Sequence, residues 1–204
     1  MWWPRRDIAG PFATWRERTA LFHEGIPGHH LQMGMAVIQR DRLNPWRRHL
    51  AGSAGHSEGW ALYAERLMED LGFLEDPADR LGMLDAQRLR AARVVSDIGA
   101  HLQLPHPDGG VWGAASAAVF LRSHTSMSDQ FVRFEVDRYL GWPGQSPSYA
   151  VGQRVWHEVR DTCRDAEGEA FSLTDFHREA LALGGVSLDT LRSSLSPRVD
   201  TRGA

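Results

Sequence analysis

The chain of 204 residues is 42% hydrophobic and 24% charged, the balance of an ordinary globular protein, and its length suffices to bury a core without cross-links. A net charge of -3 gives no basic footprint for nucleic acid, and no apolar run approaches the roughly 20 residues of a membrane-spanning helix. The single cysteine, Cys163, cannot close an internal disulfide and is expected to pack as a small hydrophobe.

Apolar residues recur at three- and four-residue spacing and nowhere in sustained alternation, so the expected class is all-α, as one helical domain over 1–204. The opening MWWPRRDIAG lacks the apolar core of a secretory signal, which reads as a cytoplasmic protein. The first helices are predicted at about 14–25 and 29–42, on either side of LFHEGIPGHHLQ, residues 21–32. Zinc peptidases of the HExxH type place two histidines one helical turn apart on one ion, with the intervening glutamate beside the metal-bound water. Here the pattern starts with His23 and Glu24, but position 27 is proline, which cannot donate the backbone hydrogen bond that a regular helix needs there. A broken zinc-binding helix is therefore expected. His30 faces the same side as His23 on an ideal helix, but seven residues separate them by roughly 10 Å. A bulge at Gly25-Ile26-Pro27-Gly28 makes His29 the preferred second ligand, with His30 as the alternative.

The next helix, at about 57–72, carries HSEGWALYAE, residues 56–65. Glu58 and Glu65 are two turns apart and share a face. Glu58 is assigned to the metal and Glu65 to orienting a ligand histidine or the substrate. Either motif alone reads more readily as surface decoration. Together, in an apolar context, they point to a metal site, because buried ionisable groups are costly unless paired or metal-bound.

Asp76-Pro77 is an N-cap with proline at the first helical position, opening a helix that runs to about Leu102. Further helices are predicted at about 113–123, 127–140, 148–165, 173–184 and 187–194, with proline- and glycine-rich loops at 104–110 and 141–147 and a frayed end from Pro197. The arginine clusters Arg47-Arg48 and Arg88/Arg90/Arg93 read as solvated helix faces.

HEGIPGHHLQ, followed by EGWALYAERL, RVVSDIGAHL, EVDRYLGWPGQSPSYAVG and DFHREALALGGVSLDTLR, resembles the C-terminal half of the bacterial family called domain of unknown function 885. That family is similar to helical gluzincins such as the carboxypeptidase Taq family. The resemblance implies a zincin-like metallopeptidase of carboxypeptidase or oligopeptidase type, with zinc on His23, His29 and Glu58 and Glu24 as general base. It points to Tyr149 as oxyanion donor, and to Gln145, Arg138, His101 and His177 as residues that line the cleft. For His101 and His177 the alternative is a hydrogen-bonded structural role, and for Arg138 a structural ion pair. The implied partners are a peptide or small amide substrate. Full-length relatives carry an N-terminal helical portion, so a partner chain or homodimer completing the cleft is also an expectation. Two other functions use the same residues: a non-catalytic, zinc-stabilised helical module, and a zinc hydrolase of non-peptide amides or esters.

Overall fold

The computed structural model describes residues 14–195, and the expected frayed end from Pro197 lies outside them. Ten α-helices follow one another: α1 Glu17–Glu24, α2 His29–Ile38, α3 Pro45–His49, α4 Ala54–Asp70, α5 Pro77–His101, α6 Ala114–His124, α7 Asp129–Gly141, α8 Pro147–Glu167, α9 Leu173–Ala182 and α10 Leu188–Leu195. No strand occurs among the described residues; extended pairing is confined to an isolated bridge between Pro105 and Val111. The fold is all-α.

The starts of the helices are written in side chains. Ser53 accepts from the His56 N–H at α4, Asp76 from Ala78 at α5, Ser128 from Phe131 at α7 and Ser172 from Asp175 at α9. Each satisfies a backbone donor that the first turn leaves without a partner. The same device makes a helix not expected from periodicity: Asn44 caps α3 and Pro45 occupies its first position. Five residues are too few to show an amphipathic stripe, so only the Asn-Pro pair announces α3. Helix α2 also ends four residues earlier than expected, at Ile38.

Two apolar clusters hold the helices together. In one, Trp60, Tyr63 and Leu67 of α4 pack on Val155, Trp156 and Val159 of α8, closed by Phe176, Ala180 and Leu181 of α9 and Leu191 of α10. In the other, Leu89 and Ala92 of α5 meet Leu121 of α6 and Val132, Val136 and Tyr139 of α7, with Trp112 beside them. Cys163 is buried in the first cluster, as a small hydrophobe would be.

The α4–α8 contact is unusually close. A Cβ built on Gly59 would lie 2.4 Å from the carbonyl carbon of Gly152, and one on Gly152 only 1.9 Å from the Gly55 oxygen. Only glycine lets the two backbones meet at this crossing. The Trp156 indole N–H donates to the His56 carbonyl across the same interface at 3.0 Å.

Candidate metal centre

The break between α1 and α2 builds the site. Pro27 has no N–H to give, and the chain turns instead through Gly28, whose N–H donates to the Phe22 carbonyl at 2.9 Å, while His30 N–H donates to Gly25 at 3.1 Å. A Cβ on Gly28 would meet the His23 carbonyl oxygen at 1.9 Å, so the turn closes only with glycine there. The Trp60 indole N–H donates to the Pro27 carbonyl at 2.8 Å and is also 3.2 Å from that of Gly28, fixing the break to α4. The second helix thus restarts at His29, the first residue of α2.

This geometry brings His23, His29 and Glu58 together. The Nε2 atoms of His23 and His29 lie 3.5 Å and 3.3 Å from Glu58 Oε2, and one ligand atom from each of the three residues falls within 4.8 Å of the others. The two imidazole rings meet edge to face, 4.9 Å between centroids. His30 is exposed and stands outside this group. Glu24, the last residue of α1, is exposed to solvent beside His23.

Behind the histidines lies a buried charge network. Glu65, fully buried on α4, accepts from His23 Nδ1 at 2.7 Å and from the Thr19 hydroxyl at 2.5 Å, and pairs with the Arg90 guanidinium at 3.0 Å. With Nε2 turned to Glu58, His23 carries its hydrogen on Nδ1 and donates it to Glu65, which sets the ring's orientation. Burial alone would raise the Glu65 carboxyl; Arg90, His23 and Thr19 outweigh it and hold the group below its ordinary value. Burial likewise opposes ionisation of Glu58, but its two histidine neighbours pull the carboxyl down. For His23, burial and Arg90 favour the neutral ring, and Glu58 and Glu65 more than reverse this, raising its pKa.

Tyr149, in the first turn of α8, closes one side. Its ring stacks on His23 with 6.2 Å between centroids and an interplanar angle of 16°. Its hydroxyl accepts from Gln145 Nε2 at 3.2 Å. Burial, then the neighbouring Glu58 carboxylate, raises the phenol pKa and keeps the hydroxyl protonated.

The remaining expected residues are placed elsewhere. His101 donates from Nε2 to the Tyr139 carbonyl at 3.0 Å, a structural hydrogen bond. Arg138 pairs with Glu135 one turn away at 3.0 Å. His177 accepts from the Tyr63 hydroxyl at 2.8 Å inside the aromatic cluster with Trp60; burial, then Arg160, lowers its pKa to about 4. The reading of Arg88/Arg90/Arg93 as a solvated face fails for two of the three. Arg90 is tied to Glu65, and Arg93 is 5% exposed beside Glu135. Periodicity assigns a charge to the outside by default, and only the buried carboxylates of other helices make these exceptions stable. Arg90, Arg93 and Thr19 are thus residues of the site that sequence reasoning missed. The available signal was Arg93 standing in line with Leu89 and Ala92 on the apolar stripe of α5.

Three donors of the His, His and Glu type fit a catalytic zinc. Tetrahedral coordination with bonds of about 2.0–2.2 Å separates neighbouring ligand atoms by roughly 3.3–3.5 Å, and the Nε2–Oε2 separations of 3.5 Å and 3.3 Å match it. Glu58 Oε2 is buried and has no hydrogen-bond donor among the described residues, the condition of an atom shaped to face a cation.

Fold and site therefore define an all-helical protein built around a largely enclosed two-histidine, one-glutamate constellation. The chain belongs to the family described as bacterial protein of unknown function, DUF885, whose model matches residues 1–195. Among solved structures it is similar to a putative lipoprotein from Colwellia psychrerythraea, 32% identical with a TM-score of 0.80, over 89% of this chain and 30% of that one. A putative lipoprotein of unknown function from Shewanella oneidensis, 21% identical with a TM-score of 0.75 over 88% of this chain, shares the fold. This chain spans 30% and 31% of the lengths of those two. No curated protein matches it. The expectation of a cytoplasmic protein is contradicted by these neighbours, both of which are described as putative lipoproteins. That expectation rested on residues 1–10 alone, and in a chain matching under a third of its neighbours' length these carry no information on address. No helix among the described residues is long and apolar enough to cross a membrane.

Proposed function

We propose that the protein is a zinc-dependent, zincin-like peptidase whose metal is held by His23, His29 and Glu58. The observation that carries this reading is the convergence of His23, His29 and Glu58 from three helices, with both histidine Nε2 atoms at ligand-to-ligand spacing from Glu58 Oε2. His23, His29 and Glu58 would hold the zinc, which would supply Lewis acidity and a water of lowered pKa at the site.

The chain's own groups do the rest. Glu65 and Arg90 hold the His23 ring with Nε2 forward. Glu24 is the general base: its carboxylate, next in sequence to His23 and open to solvent, takes a proton from the attacking water and passes it to the leaving amine. Tyr149, kept protonated by burial, donates its hydroxyl hydrogen to the oxyanion that forms on the attacked carbonyl. A purely structural zinc site would fill its fourth position with a protein ligand and would need neither base nor oxyanion donor, which favours the enzyme over the zinc-stabilised module. The family's likeness to helical gluzincins belongs to the same proposal.

The test combines metal content with turnover. Mass spectrometry should find one zinc per chain in the purified protein and none in Glu58→Ala. A mixed peptide library should be cleaved by the first, and cleavage should stop with chelator and return with zinc. A zinc-loaded protein that leaves every peptide intact would favour the non-catalytic module.

A further inference from the structure

We propose that Arg93 receives the free C-terminal carboxylate of a peptide substrate, in the cavity between α1, α5 and the start of α7. The cavity has a volume of about 280 Å³ and is lined by Arg16, Asp85, Arg90, Arg93 and Phe131 among others. The proposal deepens the peptidase reading, on which it rests only for placing this carboxylate near the scissile bond.

The charges around the cavity are unevenly matched. Arg16 is neutralised by Asp85 at 3.5 Å, and Arg90 by Glu65 at 3.0 Å. Among the described residues Arg93 has only a shared anion, Glu135. Its Nε is 3.3 Å from Glu135 Oε2, but not in hydrogen-bonding geometry, and that oxygen already accepts from Arg138 at 3.0 Å and from the Tyr139 hydroxyl. One carboxylate thus serves two guanidinium groups. Asp97, one turn on, spends Oδ1 on the Gly144 N–H and keeps Oδ2 buried without a donor among the described residues, and it is not within ion-pair distance of Arg93. The Arg93 Nη2 is buried without a hydrogen-bond partner among the described residues, in a residue that is 5% exposed. A buried guanidinium left in this state is costly, and a carboxylate is the planar partner that its fork matches.

Position points the same way. The Arg93 guanidinium lies 4.7 Å from the centroid of the Tyr149 ring, and His23 stacks on that ring at 6.2 Å. One aromatic side chain separates the group from the metal site. An extended peptide advances about 3.3–3.6 Å per residue, so a carboxylate held at Arg93 belongs to a chain that ends one or two residues past the bond being cut. An internal peptide bond would bring a neutral amide to Arg93 and leave its charge unmatched.

The experiment measures binding without turnover. Calorimetry on the zinc-stripped protein removes the competing attraction of a carboxylate for the metal. The probes are N-acetyl-Ala-Ala, its C-terminal amide, and N-acetyl-Ala-Asp amide, which moves the only carboxylate to a side chain. The free acid should bind about 10- to 100-fold tighter than the amide, the range of one charge-assisted hydrogen-bond pair. Arg93→Met should bring the ratio near one, and Arg93→Lys should recover part of it. In the zinc-loaded protein, Arg93→Met should raise KM for the free acid with little change in kcat. Equal binding of acid and amide by the wild-type protein overturns the proposal, and so does a preference that survives Arg93→Met. A preference shown equally by the Asp-amide probe overturns the C-terminal assignment and moves the carboxylate to a substrate side chain. Arg93-dependent binding of an acid that no zinc-loaded protein cleaves would sink the peptidase reading and leave the carboxylate site standing.

Discussion

Helix α4 presents two faces that are stabilised in opposite ways. One carries Glu58 and Glu65 toward α1, α2 and α5, where buried carboxylates face histidines and a guanidinium, with the Thr19 hydroxyl as a neutral donor. The other carries Trp60, Tyr63 and Leu67 into an apolar cluster with α8 and α9, where the indole N–H of Trp60 and the hydroxyl of Tyr63 find uncharged partners. Burial of apolar area stabilises the second face without directional demands. The first face gains little net stability from its ion pairs, because desolvating them costs about as much as their attraction returns. What it gains is a fixed orientation for two imidazoles. The helix is therefore built to be held by one side and used by the other, and substitutions on the two sides should separate stability from chemistry.

The largest expected effect on the polar side is functional. Glu24→Gln should retain zinc and folding while kcat for peptide hydrolysis falls about 10²- to 10⁴-fold, the range of a positioned acid–base group; steady-state kinetics with metal analysis on the same sample checks it. Undiminished turnover would remove Glu24 from the mechanism. On the apolar side, Trp156→Ala should cost about 3–5 kcal/mol of stability, read as a lower urea midpoint, with zinc bound normally by the molecules that remain folded. Loss of zinc from that folded fraction would show that the two faces are not independent.

Glu65→Gln sharpens the contrast, since it keeps the shape of the side chain but takes away the negative charge facing His23 Nδ1 and Arg90. Zinc affinity should drop about 10- to 100-fold, as when the partner of a ligating histidine is lost; competition with a chelator of known affinity measures it. The smallest effect belongs to His177. Its pKa falls from the ordinary 6.5 to about 4 through burial, then Arg160, so the folded state resists a proton that the unfolded chain accepts. Its contribution is complete above about pH 6.5 and is lost as pH falls from there toward 4. His177→Gln should flatten the decline in urea midpoint between pH 7 and pH 5, leaving the part due to His56, also lowered to about 4 by burial.

How much of this was legible in the sequence follows from the range of each interaction. The broken helix could be read because its cause is local: Pro27 lacks a donor and Gly28 stands where a Cβ would strike the His23 carbonyl. The caps at Asp76 and Asn44 are local too, though only the first introduces a helix long enough to show periodicity. The spacing of Glu58 and Glu65 placed both on one face, and the structure points one at the histidine Nε2 atoms and the other at Nδ1 of His23. Partners from distant helices were out of reach. Arg90 lies 25 residues from Glu65 and Arg93 lies 42 from Glu135. No periodicity in α5 announces that these charges face inward. His101 and His177 share the residue type of the ligands, but a carbonyl of α7 and a phenol of α4 claim them.

The glycine crossing of α4 and α8 has a mechanical consequence. Where side chains separate two helices, thermal agitation is absorbed by rotamer changes and one rod can creep along the other. At Gly55, Gly59 and Gly152 peptide planes abut directly, and there is no soft layer to yield. Glu58 sits one residue from this pivot and Tyr149 one turn from it, so the gap between carboxylate and phenol is gauged by bare main chain and should hold constant as the periphery breathes.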